Sequence, residues 1–174
     1  MSFVARMINR AKWQPSPDLG EDAIAADAVT GDLRTTANTL SFWDADDGTE
    51  PPIQEAALAL AAGRDRLDKL DIAWLEVASL EGAGLTFEKT AGDTPVVDLR
   101  ERHRDLVRLD LVRLGAVGQI VARAVRAENR FRRLTRAQVL ALLVKAVRAG
   151  RLRLDDLSDG VRTDVAASVS SGEG

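Results

Sequence analysis

Charge along this chain is laid out in blocks of opposite sign, and that layout limits the folds in which its charged surfaces can be satisfied. Residues 1–98 carry 8 Lys/Arg against 18 Asp/Glu, residues 99–153 carry 15 against 4, and residues 154–174 carry 1 against 5. The formal net charge of −3 therefore hides an acidic N-terminal block and a strongly basic block that follows it. Such asymmetry points to a charged partner or to complementarity between the blocks.

The basic block has helical periodicity. Val107, Leu111, Leu114, Gly118, Val121 and Val125 follow one another at intervals of three and four, the seam of a helix packing on another element. A rotation of 100° per residue then gathers Arg104, Arg108, Arg123, Arg126, Arg130 and Arg133 into a flank about 100° wide, away from the seam. A second helix is marked more sharply. Thr135 and Gln138 have the spacing of a capping box, Leu140, Leu143, Val144 and Val147 form a stripe, and Gly150 suits a left-handed cap.

The acidic block alternates strand and helix patterns. Residues 2–8, 38–43, 71–78 and 85–89 have strand character, and residues 21–33 and 53–67 have helical character, the latter rich in alanine. The order is β-α-β-α-β-β. The expected class is thus α+β: a small mixed sheet with helices, followed by a C-terminal part of two to three helices. An acidic α+β domain over residues 1–92 is expected to give way to a basic helical part over 93–167, with a disordered tail over 168–174. The change falls at Ala91-Gly92-Asp93-Thr94-Pro95, where composition, charge sign and periodicity all shift.

Several kinds of chemistry are excluded by residue type. With no cysteine there is no disulfide, no thiolate metal site and no cysteine nucleophile. His103 is the one histidine, so a multi-histidine metal centre within one chain is ruled out. On a helix, His103 would not face Glu101 or Asp105, two residues away on either side. The acidic run Asp44-Ala45-Asp46-Asp47-Gly48 departs from a calcium loop because Thr49 falls where the sixth-position glycine belongs, and the run from Asp155 puts Leu157 at a ligand position. Neither common glycine-rich phosphate loop is present. No metal or other cofactor is expected, and no catalytic residue is assigned.

Two candidate sites follow. The arginine flank suits an acidic protein partner or self-association through bidentate pairs, which makes a non-catalytic cytoplasmic subunit or regulator the first expectation. A nucleic-acid-binding protein using the same flank for phosphate contacts is the alternative, with Phe131 as its one aromatic there. The second candidate is the segment from Arg34 to Trp43, where Arg34, Thr35, Asn38, Thr39 and Ser41 supply donors for a small ligand at a helix-to-strand passage, and a small enzyme could be built around it. No apolar run is long enough to span a membrane. A soluble protein without a targeting segment is expected.

Overall fold

The computed structural model describes residues 1–171. Its backbone runs β1 (Phe3–Ile8), α1 (Ala26–Asp32), β2 (Leu40–Asp44), α2 (Glu50–Ala62), β3 (Leu70–Glu76), α3 (Val77–Gly82), β4 (Thr86–Lys89), β5 (His103–Val107), α4 (Leu111–Arg126), β6 (Phe131–Leu134), α5 (Arg136–Arg148) and α6 (Asp159–Ser171). The six strands form one sheet in the order β4-β5-β2-β1-β3-β6. The fold is α+β, as its strand and helix patterns imply, and its last third is largely helical.

Side chains on either face of β1 are buried in separate cores, which is what period-two alternation dictates when helices cover both sides. Phe3 and Ala5 join a cluster with Ile53 and Ala57 of α2, Val139 and Leu143 of α5, and Val161 and Val165 of α6. Val4 and Ile8 join the opposite cluster with Ala28 of α1, Leu80 of α3 and Val117 and Val121 of α4. The helices therefore lie on both faces of the sheet, and every strand pair is antiparallel where a mixed sheet was expected.

Local sequence explains the best-defined helices. α2 starts with Pro51 and Pro52 in its first turn, where a missing N–H costs nothing, and continues through alanines. α4 starts where Asp110 accepts the Arg113 N–H at 2.7 Å. α5 has both arms of the capping box: Thr135 Oγ1 accepts the Gln138 N–H, and the Gln138 side chain accepts the Thr135 N–H.

The arginine flank is not one helical surface. Residues 103–107 are a strand, and Arg108 turns the chain with φ 57° before α4 begins at Leu111. Residues 131–134, in the basic helical part expected over 93–167, form the edge strand β6 against β3. The boundary at 92 and 93 consequently lies inside a single sheet, since β5 pairs with β2 and β4 from the acidic block. At the C-terminus, residues 168–171 are the last turn of α6, where a disordered tail was expected; the remainder of that expectation lies outside the described residues. No helix among the described residues is long and apolar enough to cross a membrane.

Candidate ligand-binding cleft at a fork in the sheet

β1 and β2 pair along only part of their length. Val4 faces Asp44 and Ala5 faces Trp43, and Phe3 exchanges backbone bonds with Ala45 and Asp46 just beyond. From Arg6 onward the two strands part. β1 stays on β3 as far as Ile8↔Asp71, while β2 stays on β5 as far as Leu40↔Leu106. The sheet therefore forks between Arg6–Ile8 and the start of β2, and a cavity of about 430 Å³ opens there.

A fork leaves backbone groups without ladder partners, and buried carbonyls need donors. Arg6 supplies them. Its Nε and Nη2 donate to Asp32 O at 3.0 and 2.8 Å, and its Nη1 donates to Ser41 O at 2.6 Å. These bonds use three of the five guanidinium N–H groups, leaving two for the cleft that the side chain lines. Burial draws the Arg6 pKa down to about 10, and the charges of Asp32 and Asp105 only partly oppose that shift. At neutral pH the group is a cation held on main-chain carbonyls, in direct contact with no carboxylate.

The rest of the lining has the same character. Arg34, Arg64 and Lys69 join Arg6 around the cavity, and among the described residues none of these four forms a salt bridge. Arg64 Nη1 donates to the carbonyls of Asp68 and Lys69, and its own carbonyl accepts the Ser158 hydroxyl at 2.8 Å, which fixes the loop from the α6 side. Three carboxylates, Asp32, Asp68 and Asp71, share the lining with these four cations, and each is already hydrogen-bonded: Asp68 Oδ1 accepts the Lys69 N–H at 2.7 Å. Asp32 Oδ2 accepts the Asn9 N–H at 2.6 Å and the Trp13 indole N–H at 2.7 Å. Both oxygens of Asp71 take the Arg133 fork at 2.7 Å, and one also accepts the Arg10 N–H. The balance of available charge in the cleft is positive. Met7, Trp43 and Leu60 supply apolar wall.

Burial by itself would raise the Asp71 pKa, but the Arg133 hydrogen bonds and the Arg10 N–H outweigh it, and the net shift is downward. A lowered native pKa contributes stability that is present above the unfolded carboxylate value and is lost as pH falls through the native one. Asp71→Asn should therefore be less stable than the parent near pH 7, by a margin that is narrower at about pH 3, below the ordinary carboxylate value. Urea unfolding at both pH values checks this, and a difference that persists unchanged at the lower pH contradicts it.

Beside the cleft lies a chain of polar groups. Ser41 Oγ donates to Asp105 Oδ1 at 2.8 Å, and Thr90 Oγ1 donates to Asp105 Oδ2 at 2.7 Å. Having given its proton to Asp105, the Thr90 hydroxyl accepts from His103 Nδ1 at 2.8 Å, which places the histidine proton on Nδ1. His103 is buried against Trp43, edge to face at 5.0 Å between ring centroids. His103 and Asp105 do share a face after all, because they lie on a strand, where residues two apart point the same way. Gly92 lies across both rings: a Cβ there would fall 2.3 Å from Trp43 Cη2, so this crossing requires glycine.

Of the N-terminal candidates, Arg34 and Ser41 line the cleft together with Trp43. Thr35 is exposed and does not line it. Asn38 and Thr39 belong to the tight turn before β2: Ala37 and Asn38 have φ of 51° and 59°, Thr36 bridges to Thr39, and Asn38 O accepts the Leu109 N–H.

The six arginines of the expected partner surface are distributed over β5, α4, β6 and the loops beside them. Arg104 pairs with Asp44 at 2.6 Å, Arg133 with Asp71, Arg130 with Glu128 at 3.0 Å and Glu76 at 3.7 Å, and Arg123 with Glu128 at 3.5 Å. Arg126 donates to three carbonyls, those of Trp13, Glu21 and Ala23. Arg108 is the most exposed of those in ion pairs, with Glu88 4.0 Å away, and Arg123 and Arg133 are exposed as well. Among the described residues there is no group of three His, Asp or Glu that could hold a metal ion.

Arg6, Arg64 and Lys69 were not picked out by sequence, although Arg6 carried a signal. It stands between Val4 and Ile8 on a strand face that is otherwise buried, where a charge needs a reason. No protein-family model, curated protein or solved structure matches the chain.

Proposed function

We propose that this protein binds a small organic anion in the fork between β1 and β2. One observation carries the reading: the half-buried Arg6 guanidinium lines the cavity, held on two carbonyls, with two N–H groups left over and no carboxylate bonded to it. A desolvated cation without an ionic partner is costly unless an anion completes it. The two free N–H groups suit a carboxylate or phosphate, which a guanidinium grips with paired bonds.

Binding through the arginine flank has less support, since five of those six arginines already serve carboxylates or carbonyls of this chain. The acidic block supplies several of these partners. Asp44, Asp71 and Glu76 come from it, as do the carbonyls that Arg126 holds.

Titration calorimetry with simple carboxylates and phosphonates tests the proposal. Arg6→Met should weaken binding by about 10- to 100-fold, the worth of a charge-assisted pair. Arg6→Lys keeps the charge without the fork and should fall between. Arg6→Met that keeps native circular dichroism and binds as tightly as the parent refutes the assignment.

A further inference from the structure

The four cations around the cleft belong to two groups, and each is tied to its own side of β1. Arg6 leans toward β2, with its bonds on Asp32 O and Ser41 O, and Arg34 lies in the connection from α1 to β2. Arg64 and Lys69 lie in the connection from α2 to β3, where Arg64 is bonded to the carbonyls of Asp68 and Lys69. In the sheet, β2 and β3 flank β1 on opposite sides. Neighbouring strands are about 4.8 Å apart, so the two groups stand on the order of 10 Å from one another across β1, more where the fork widens. Met7 on β1, Trp43 on β2 and Leu60 on α2 supply the apolar part of the lining, and Asp68 lies beside the second group with its Oδ1 on the Lys69 N–H.

Two positive poles with apolar side chains in the same lining match a ligand that is charged at both ends. A single anionic head would complete Arg6 and leave Arg64 and Lys69 over an empty part of the same cavity. We propose that the cleft takes a two-headed organic anion, a short chain with a carboxylate or phosphate at each end, one head on Arg6 and Arg34 and the other on Arg64 and Lys69. This rests on the anion-binding reading above and adds the ligand's second charge and its length. The poles are prepared for it. The carbonyls that hold Arg6 and Arg64 fix their positions before ligand arrives, and Ser158 Oγ anchors the Arg64 backbone from α6.

The test compares butyrate, glutarate, adipate and 4-phosphonobutyrate by calorimetry on the full chain, the double variant Arg64→Gln/Lys69→Gln, and Arg6→Met. A diacid should bind the parent about 10- to 100-fold tighter than butyrate, the gain from a second charge-assisted contact. In the double variant this advantage should largely vanish, with butyrate losing far less affinity than the diacids, and Arg6→Met should weaken every probe. Tighter binding of 4-phosphonobutyrate than of adipate would support two heads and make one of them a phosphate. Equal affinity for butyrate and the diacids, or a double variant that weakens butyrate as much as adipate, overturns the two-headed ligand and leaves a one-headed anion site standing. Failure of the parent to bind any of the four overturns both.

Discussion

Arg126→Glu should lower the unfolding free energy by about 3 to 5 kcal/mol, the usual range when a partly buried charged hydrogen-bonding group is removed and its partners are left unpaired. The side chain projects from the last turn of α4 and donates to Trp13 O, Glu21 O and Ala23 O, so it fastens the long connection between β1 and α1 to the helix beneath it. A glutamate there donates nothing and sets a negative charge against three carbonyl oxygens. Chemical denaturation measures the loss, and a change under 1 kcal/mol would show that these carbonyls find water instead. Arg108→Glu is the matched control. That side chain is exposed with one long contact to Glu88, so its reversal should change stability by less than about 0.5 kcal/mol. Any search for a partner by charge reversal has to respect the difference, because a complex lost through Arg126→Glu reports on folding and one lost through Arg108→Glu reports on surface charge.

Trp13→Ala should cost a similar amount, about 3 to 5 kcal/mol, since the indole is fully buried and truncation leaves a large cavity. It has a second role that separates it from an ordinary core residue. The indole N–H donates to Asp32 Oδ2, and the carbonyl of that same Asp32 receives Arg6. Trp13→Phe keeps most of the volume and removes the donor. Its stability loss should be smaller, about 1 to 2 kcal/mol, while anion affinity in the fork should fall as Asp32 loses a restraint. An unaltered affinity in a folded Trp13→Phe protein would show that Asp32 is held well enough by the Asn9 N–H alone.

These two residues also show where sequence reasoning reached and where it stopped. Two-faced alternation in residues 2–8, the apolar run at 71–78 whose first six residues lie in β3, the alanine-rich stretch that became α2, and the Thr135 capping box are local signals, and local signals located the elements they mark. β5 escaped because arginine and apolar residues between 99 and 126 satisfy a helical repeat equally well. What makes residues 103–107 a strand is nonlocal: on β2, Trp43 stands opposite His103 and Ser41 opposite Asp105, and Asp44, diagonal to Arg104, takes its charge. The same error hid the partnership of His103 with Asp105, which a helix forbids and a strand requires.

The cleft was legible at one end only. Arg34, Ser41 and Trp43 lay in a segment that sequence singled out, whereas Arg64 and Lys69 reach the same cavity from the far side of β1. No spacing rule links positions that a fork in a sheet brings together. Arg6 was the exception, since a charge in phase with Val4 and Ile8 is visible without coordinates, though its meaning depends on carbonyls 26 and 35 residues away. The charge blocks, by contrast, pointed to complementarity within the chain as one of their explanations, and the pairs formed by Arg104, Arg130 and Arg133 are of that kind.

The partial pairing of β1 with β2 has a mechanical consequence. It divides the sheet into two three-stranded leaves, β4-β5-β2 and β1-β3-β6, joined by backbone pairing only at the Phe3–Ala5 end, with the Arg6 side chain reaching Ser41 O beyond it. The seam is the most sparsely laddered strand boundary in the sheet, and the cavity lies in its open jaw. A ligand with one head near each leaf would act as a clasp, doing with its own charges what the missing rungs between Arg6 and Phe42 do not, and binding would be felt as stiffening of the whole sheet.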